Sequence, residues 1–109
     1  MAIIIPSEDY KRQFKRLYKK YKSLKTDVQE LKAQLEANPY AGIDLGGGMH
    51  KVRMAIMSKG KGKSGGARVI TYVVEEVDDD IVINLLTIYD KSEISSVSEQ
   101  YLKSLIQQL

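Results

Sequence analysis

Six basic residues lie between Met49 and Val74, namely Lys51, Arg53, Lys59, Lys61, Lys63 and Arg68, with no carboxylate among them. The next six residues, Glu75 to Asp80, hold five acids and no base. The net charge of +3 is small, so it is the segregation of charge that predicts an anionic partner, nucleic acid first. The same inventory limits the chemistry. His50 is the sole histidine, which excludes a two-histidine ribonuclease mechanism; a serine triad would need His50 itself, and no serine sits in a nucleophile elbow. Any chemistry on this segment falls mainly to lysine, arginine and tyrosine.

The basic stretch SKGKGKSGGAR invites a phosphate-loop reading that its surroundings refuse. Gly60, Gly62 and Gly65 fit GxGxxG letter by letter, but a dinucleotide loop must open a helix whose free N–H groups receive the pyrophosphate. Arg68 to Glu75 is β-branched and aromatic and predicts a strand instead. A P-loop fails because its leading glycine would fall at Met57. What remains is a flexible glycine-rich tether, on which Lys59, Lys61 and Lys63 are expected to act as mobile cations toward a phosphate backbone. The plainer alternative is a solvated hairpin loop. Carboxylates on the single exposed turn Glu75 to Asp80 cannot all converge on one ion, and Mg²⁺ demands near-ideal geometry. That run predicts a charged turn, with no metal and no cofactor.

The elements that must position these residues follow from periodicity. Ala2 to Ile5 predicts a strand; an apolar run of this length is too short for a signal core or a membrane span. Ser7 can cap a helix, with Glu8 and Asp9 favouring its positive end. Tyr10, Phe14, Leu17, Tyr21, Leu24, Val28, Leu31 and Leu35 then form one stripe at helical spacing,. A single helix of that extent would run to about 40 Å, longer than so small a domain supports against one face. The break is expected within SLKTD, where Thr26 and Gln29 make a capping-box pattern. The remaining charges of this region, Glu30 among them, predict a solvated face. Asn38-Pro39 ends the helical region and AGIDLGGG reads as a loop. Three strands follow over 50–57, 68–75 and 81–89, joined by short connections that favour antiparallel hairpins. A helix over 95–109 closes the chain. The expected fold is α+β, in the order β-α-α-β-β-β-α, an antiparallel sheet with helices packed on one face. All 109 residues are expected in one domain,. The absence of cysteine suits a reducing cytoplasm and leaves no thiolate metal site.

The blocks NPYAGIDLGGGMHKVRMA, KGKGKSGGARVITYVV and INLLTIYDKSE, in this order over roughly residues 38 to 94, resemble the RelE/HigB superfamily of bacterial toxin-antitoxin ribonucleases, and its HigB-type branch most closely. His50 stands where that family commonly has a basic residue, and Thr71 where an aromatic is common. The resemblance implies a small RelE-like fold and a toxin that enters the ribosomal A site and cuts the message there. It also implies silencing by a cognate HigA-like, helix-turn-helix antitoxin. In that picture Lys51, Arg53, Arg68 and Lys91 match the basic active-site positions. Tyr89 is the aromatic partner, Tyr72 a weaker one, and Lys59, Lys61 and Lys63 meet messenger or ribosomal RNA. ParE-type relatives, which poison DNA gyrase, share the scaffold without this basic set. A non-catalytic RNA-binding module is the alternative of a different class.

Metal-free RNA cleavage uses the neighbouring 2′-OH as nucleophile on its own phosphate and leaves a cyclic phosphate. It needs a proton acceptor, a holder for the extra charge on the phosphoryl oxygens and a proton donor to the departing 5′ oxygen. Arginine suits the second role, because its planar fork bonds two phosphate oxygens and keeps its charge. The role is assigned to Arg68, with Arg53 as a second candidate. Lys51 or Lys91, crowded by other cations, is the expected base. Tyr89 is expected to stack on a base or take part in proton transfer.

Overall fold

The computed structural model describes residues 2–109. Strand β1 (Ala2–Pro6) leads through Ser7 into α1 (Glu8–Lys20). As expected, Ser7 is the cap: its hydroxyl accepts from the Tyr10 N–H at 3.1 Å and donates to Leu86 O at 2.7 Å, fixing the helix start to the sheet. Helix α2 (Leu24–Ala37) follows after a break at 21–23. The stripe does fold into a helical hairpin, but not through Thr26 and Gln29. Ser23 occupies the cap position without a side-chain cap bond, and its hydroxyl instead donates to Asp27 Oδ2 at 2.7 Å. Asp27 is buried and also accepts the Met57 N–H at 3.2 Å. The break is thus set by a tertiary contact with the basic loop, which a local capping pattern cannot reveal.

Four further strands complete the sheet: β2 (Ile43–Gly46), β3 (Met49–Met54), β4 (Ala67–Glu75) and β5 (Ile81–Asp90). β2 corrects the loop expected over AGIDLGGG. All four of its residues are exposed, so it carries no burial pattern, and its turn into β3 runs through Gly46, Gly47 and Gly48, all at positive φ. The strand order is β1-β5-β4-β3-β2, with β1 parallel to β5 and every other pair antiparallel. The sheet is therefore mixed rather than antiparallel. The helical hairpin carries the chain to the far edge, and three successive reversals return β5 alongside β1 in the same direction.

Helix α3 (Glu99–Gln107) corrects a second expectation, that all helices share one face. Leu17, Leu24, Val28, Leu31 and Leu35 from α1 and α2 pack on Val52, Met54, Val69, Ile83, Leu85 and Ile88. Leu102 and Leu105 of α3 pack on the opposite side, against Met49, Ile70, Leu86 and Tyr89. A bulge makes this division possible. The β4–β5 register shifts between Ile70 and Thr71, where Leu86 is the extra residue. A one-residue shift exchanges the faces of everything beyond it. Ile83 and Leu85 before it, and Ile88 after it, therefore all face the helical hairpin, while Tyr89 turns to the α3 side. Among the described residues, no helix is long and apolar enough to cross a membrane.

Asp90, the last residue of β5, is fully buried and closes the helical side of the sheet. Its Oδ1 accepts from Lys59 Nζ at 2.8 Å and from the Ser92 N–H and hydroxyl, and its Oδ2 accepts from the Tyr21 hydroxyl at 2.5 Å. Lys59 is itself nearly buried, and its ammonium also lies 5.3 Å from the Tyr21 ring centroid. Burial opposes ionisation of Asp90, but the bonds from Lys59, Tyr21 and Ser92 outweigh it and hold the carboxyl well below the ordinary carboxylate range,. A depressed folded-state pKa contributes stability that is complete above the unfolded value and is lost as pH falls. Urea unfolding is therefore expected to show declining stability below about pH 5. Asp90→Asn is expected to cost about 3–5 kcal/mol at neutral pH, since it strands the Lys59 charge, and to flatten the acid decline. An unchanged pH profile in Asp90→Asn would show that another group carries it.

Candidate functional site

The predicted site residues divide by strand parity. Met49, Ile70 and Tyr89 belong to the α3 side of the sheet, and side chains alternate along a strand. Lys51 and Arg53 on β3 and Arg68 on β4 therefore project to that same side. The register aligns them further: Arg53 pairs with Arg68, and Arg68 pairs with Tyr89. Lys51 lies in the neighbouring row, opposite Ile70. Like charges directly opposed across two strands are destabilising. Among the described residues, no strand position on this side supplies a carboxylate, so the opposition is left for an anion to relieve.

Burial distinguishes the members of this row. Arg53 is exposed and its side chain has no hydrogen-bond or ion-pair partner among the described residues; Lys51 is half-buried and likewise unpartnered. Arg68 is only 7 % exposed. Its Nη1 donates to Lys63 O at 2.9 Å and to Ala67 O at 3.0 Å, leaving Nε and Nη2 without a partner among the described residues. Arg68 is thus both a cation of the face and the clamp that folds the basic loop onto it. Tyr89 is buried beside α3; burial pushes its phenol pKa up and the Arg68 charge pulls the other way. In this packing its ring cannot stack on a base, correcting that expectation, and Tyr89 instead backs the Arg68 side chain. Tyr72 is half-buried against the same cluster. Lys91 follows β5, with its N–H on Gly66 O at 3.0 Å and its ammonium on Ser95 O at 2.8 Å.

The loop between β3 and β4 is not the free tether expected. It starts as a 3-10 turn over Met57–Lys59, and Gly60 and Gly62 take positive φ. At Gly66 a Cβ would lie 2.1 Å from Met54 O, so only glycine lets the returning chain approach. Lys59 is drawn into the ion pair with Asp90 and leaves the set of available cations. Lys61 and Lys63 remain exposed, with ammonium groups unpaired among the described residues. His50 is buried on the side of the sheet that carries α1 and α2. Its ring meets Tyr40 edge-on with centroids 5.9 Å apart, and its Nδ1 is buried without a partner among the described residues.

The residue that sequence reasoning missed is Asp90. One signal was present: a carboxylate ends an otherwise mostly apolar strand, IVINLLTIYD, where nothing local accounts for it. No protein-family model matches the chain.

The separation of the loop lysines has a measurable consequence. Lys61→Ala combined with Lys63→Ala is expected to lower the log-log salt slope of single-stranded RNA binding by about 0.7 for each phosphate that is no longer neutralised. Lys59→Ala is expected to reduce the unfolding midpoint and leave that slope unchanged. Anisotropy of a labelled RNA across a salt series, beside urea melts, reads both. A slope change from Lys59→Ala at unchanged stability would contradict its sequestration.

Proposed function

We propose that this protein is a metal-independent RNA endonuclease of the RelE/HigB kind, acting on messenger RNA at the ribosome. The observation that carries the reading is the direct opposition of Arg53 and Arg68 across β3 and β4, on a strand face without carboxylates among the described residues. Two guanidinium groups at directly opposed strand positions, that of Arg68 held by two backbone carbonyls, suit the doubly charged phosphoryl group of an RNA transesterification, and charge stabilisation of this kind is the largest contribution to many such reactions. Arg53 offers its whole fork and Arg68 its unpaired Nε and Nη2. Lys51, one row along the same face, is the assigned acceptor of the 2′-OH proton. Lys91, at the end of β5, is the assigned donor to the departing 5′ oxygen. Lys61 and Lys63 extend the cationic track along the message.

The element order supports a RelE-like reading of the fold, with β2 as an addition to the expected βααβββα sequence. A helix-turn-helix antitoxin and a cytoplasmic setting enter with the same family reading. The burial of Arg68 and Tyr89 favours a second reading, an RNA-binding module that does not cut.

Arg53 separates these readings cleanly because it is exposed and bears no structural bond. Arg53→Ala is expected to slow cleavage of ribosome-bound message by about 100-fold, with an unchanged unfolding midpoint. Wild-type protein that protects message without generating new ends would establish the binding module. A loss below about threefold in Arg53→Ala would remove Arg53 from the charge-stabilising role.

A further inference from the structure

Beside the basic face, a cleft of about 200 Å³ opens between α2 and the start of the β3–β4 loop. Its volume is below the roughly 300–1,000 Å³ of pockets for drug-sized ligands, which suits one planar ring system. The floor is apolar: Leu31 and Met54 are buried, and Met57, 69 % exposed, stands at the rim. An unbranched thioether adapts its shape and packs well on aromatic rings. The polar rim is divided by charge. Arg53 and Lys63 line one part, and Glu30 and Gln34, one helical turn apart on α2, line another,. None of these four side chains has a hydrogen-bond or ion-pair partner among the described residues. Asp27, the remaining carboxylate, is already committed, accepting from Ser23 and from the Met57 N–H. It fixes the cleft wall and leaves Glu30 as the free acceptor.

From this arrangement we infer that the cleft is a nucleobase subsite selective for guanine. The inference rests on the RNA reading above and names the base that reading leaves open. Lys63 holds the attached phosphate, and the ring lies on Leu31, Met54 and Met57. Glu30 supplies two acceptor oxygens side by side, matching the adjacent N1–H and N2–H donors of guanine's Watson–Crick edge. Adenine and cytosine offer a single exocyclic donor group beside an acceptor, and uracil a single ring N–H, so each leaves one carboxylate oxygen facing an acceptor or nothing. The Gln34 amide can donate to a guanine acceptor from the neighbouring turn. Sequence periodicity alone puts Glu30 on a solvated face; the loop docked against α2 is what makes it one wall of a cleft.

The test is calorimetric titration of the full chain with 5′-GMP, IMP, AMP, CMP and UMP. IMP differs from GMP only in lacking the N2 amino group. GMP is expected to bind about tenfold or more tightly than IMP or AMP, in the range of one good bidentate base contact. Glu30→Gln, at an exposed position, is expected to bring GMP and IMP to equal affinity. Lys63→Ala is expected to weaken all five nucleotides alike. Equal binding of GMP and IMP by the wild type, or no GMP binding at millimolar concentration, overturns the subsite. A parallel RNA cleavage assay keeps the two ideas apart: cleavage without guanine selectivity sinks the subsite alone, and guanine-selective binding without cleavage supports the subsite while removing the endonuclease.

Discussion

The buried pair of Lys59 and Asp90 is the interaction on which the rest of the molecule depends. Removing two charges from water is costly, and the attraction between them offsets that cost only when their remaining bonding capacity is filled. Here it is filled from three separate segments. Asp90 ends β5, Tyr21 ends α1, Ser92 begins the segment toward α3, and Lys59 brings the glycine loop to all of them. The loop therefore inherits the position of the sheet end. Its other leg is fastened by Arg68 to the Lys63 carbonyl. A segment whose glycines would favour many conformations is held at both legs by cations that a reading of charge alone would send into solvent.

This fastening changes what the basic segment can do. Lys59 and, in part, Arg68 are used to build the surface, while Arg53, Lys51, Lys61 and Lys63 are left to meet a ligand. On the proposed reading, function depends on where the docked loop and paired strands place these few groups rather than on the total charge of a mobile tether. Arg68, held by the Lys63 and Ala67 carbonyls, is the preorganised member of the set, and charge already in place lowers the reorganisation needed as the phosphoryl charge develops. The β4–β5 bulge contributes to the same end from the core. It turns Tyr89 toward Arg68 while leaving Asp90 aimed at Lys59, so one extra residue serves both faces of the sheet.

Much of the scaffold was legible in the sequence, for identifiable reasons. The eight-residue apolar stripe from Tyr10 to Leu35 packs into the core as expected because helical periodicity is local and strong. The three long strands emerged from β-branched runs, and Ser7 from its capping chemistry. What escaped is what depends on partners distant in the chain. β2 buries no side chain and so leaves no pattern, and the parallel pairing of β1 with β5 is a property of the path between them. The side taken by α3 is equally invisible in its own amphipathic face. Of the site, the adjacency of Arg53 and Arg68 could be anticipated only as a family expectation, and Lys59 was misplaced because its partner lies 31 residues away.

On the proposed reading, cations on the α3 side of the sheet cut RNA through its own 2′-OH, without a metal. The chemistry of the new ends, mapped after incubation of programmed ribosomes with the protein, tests this directly. Attack by the 2′-OH is expected to leave 2′,3′-cyclic phosphate on the upstream fragment and 5′-hydroxyl on the downstream one. Fragments bearing 3′-hydroxyl and 5′-phosphate ends would contradict it.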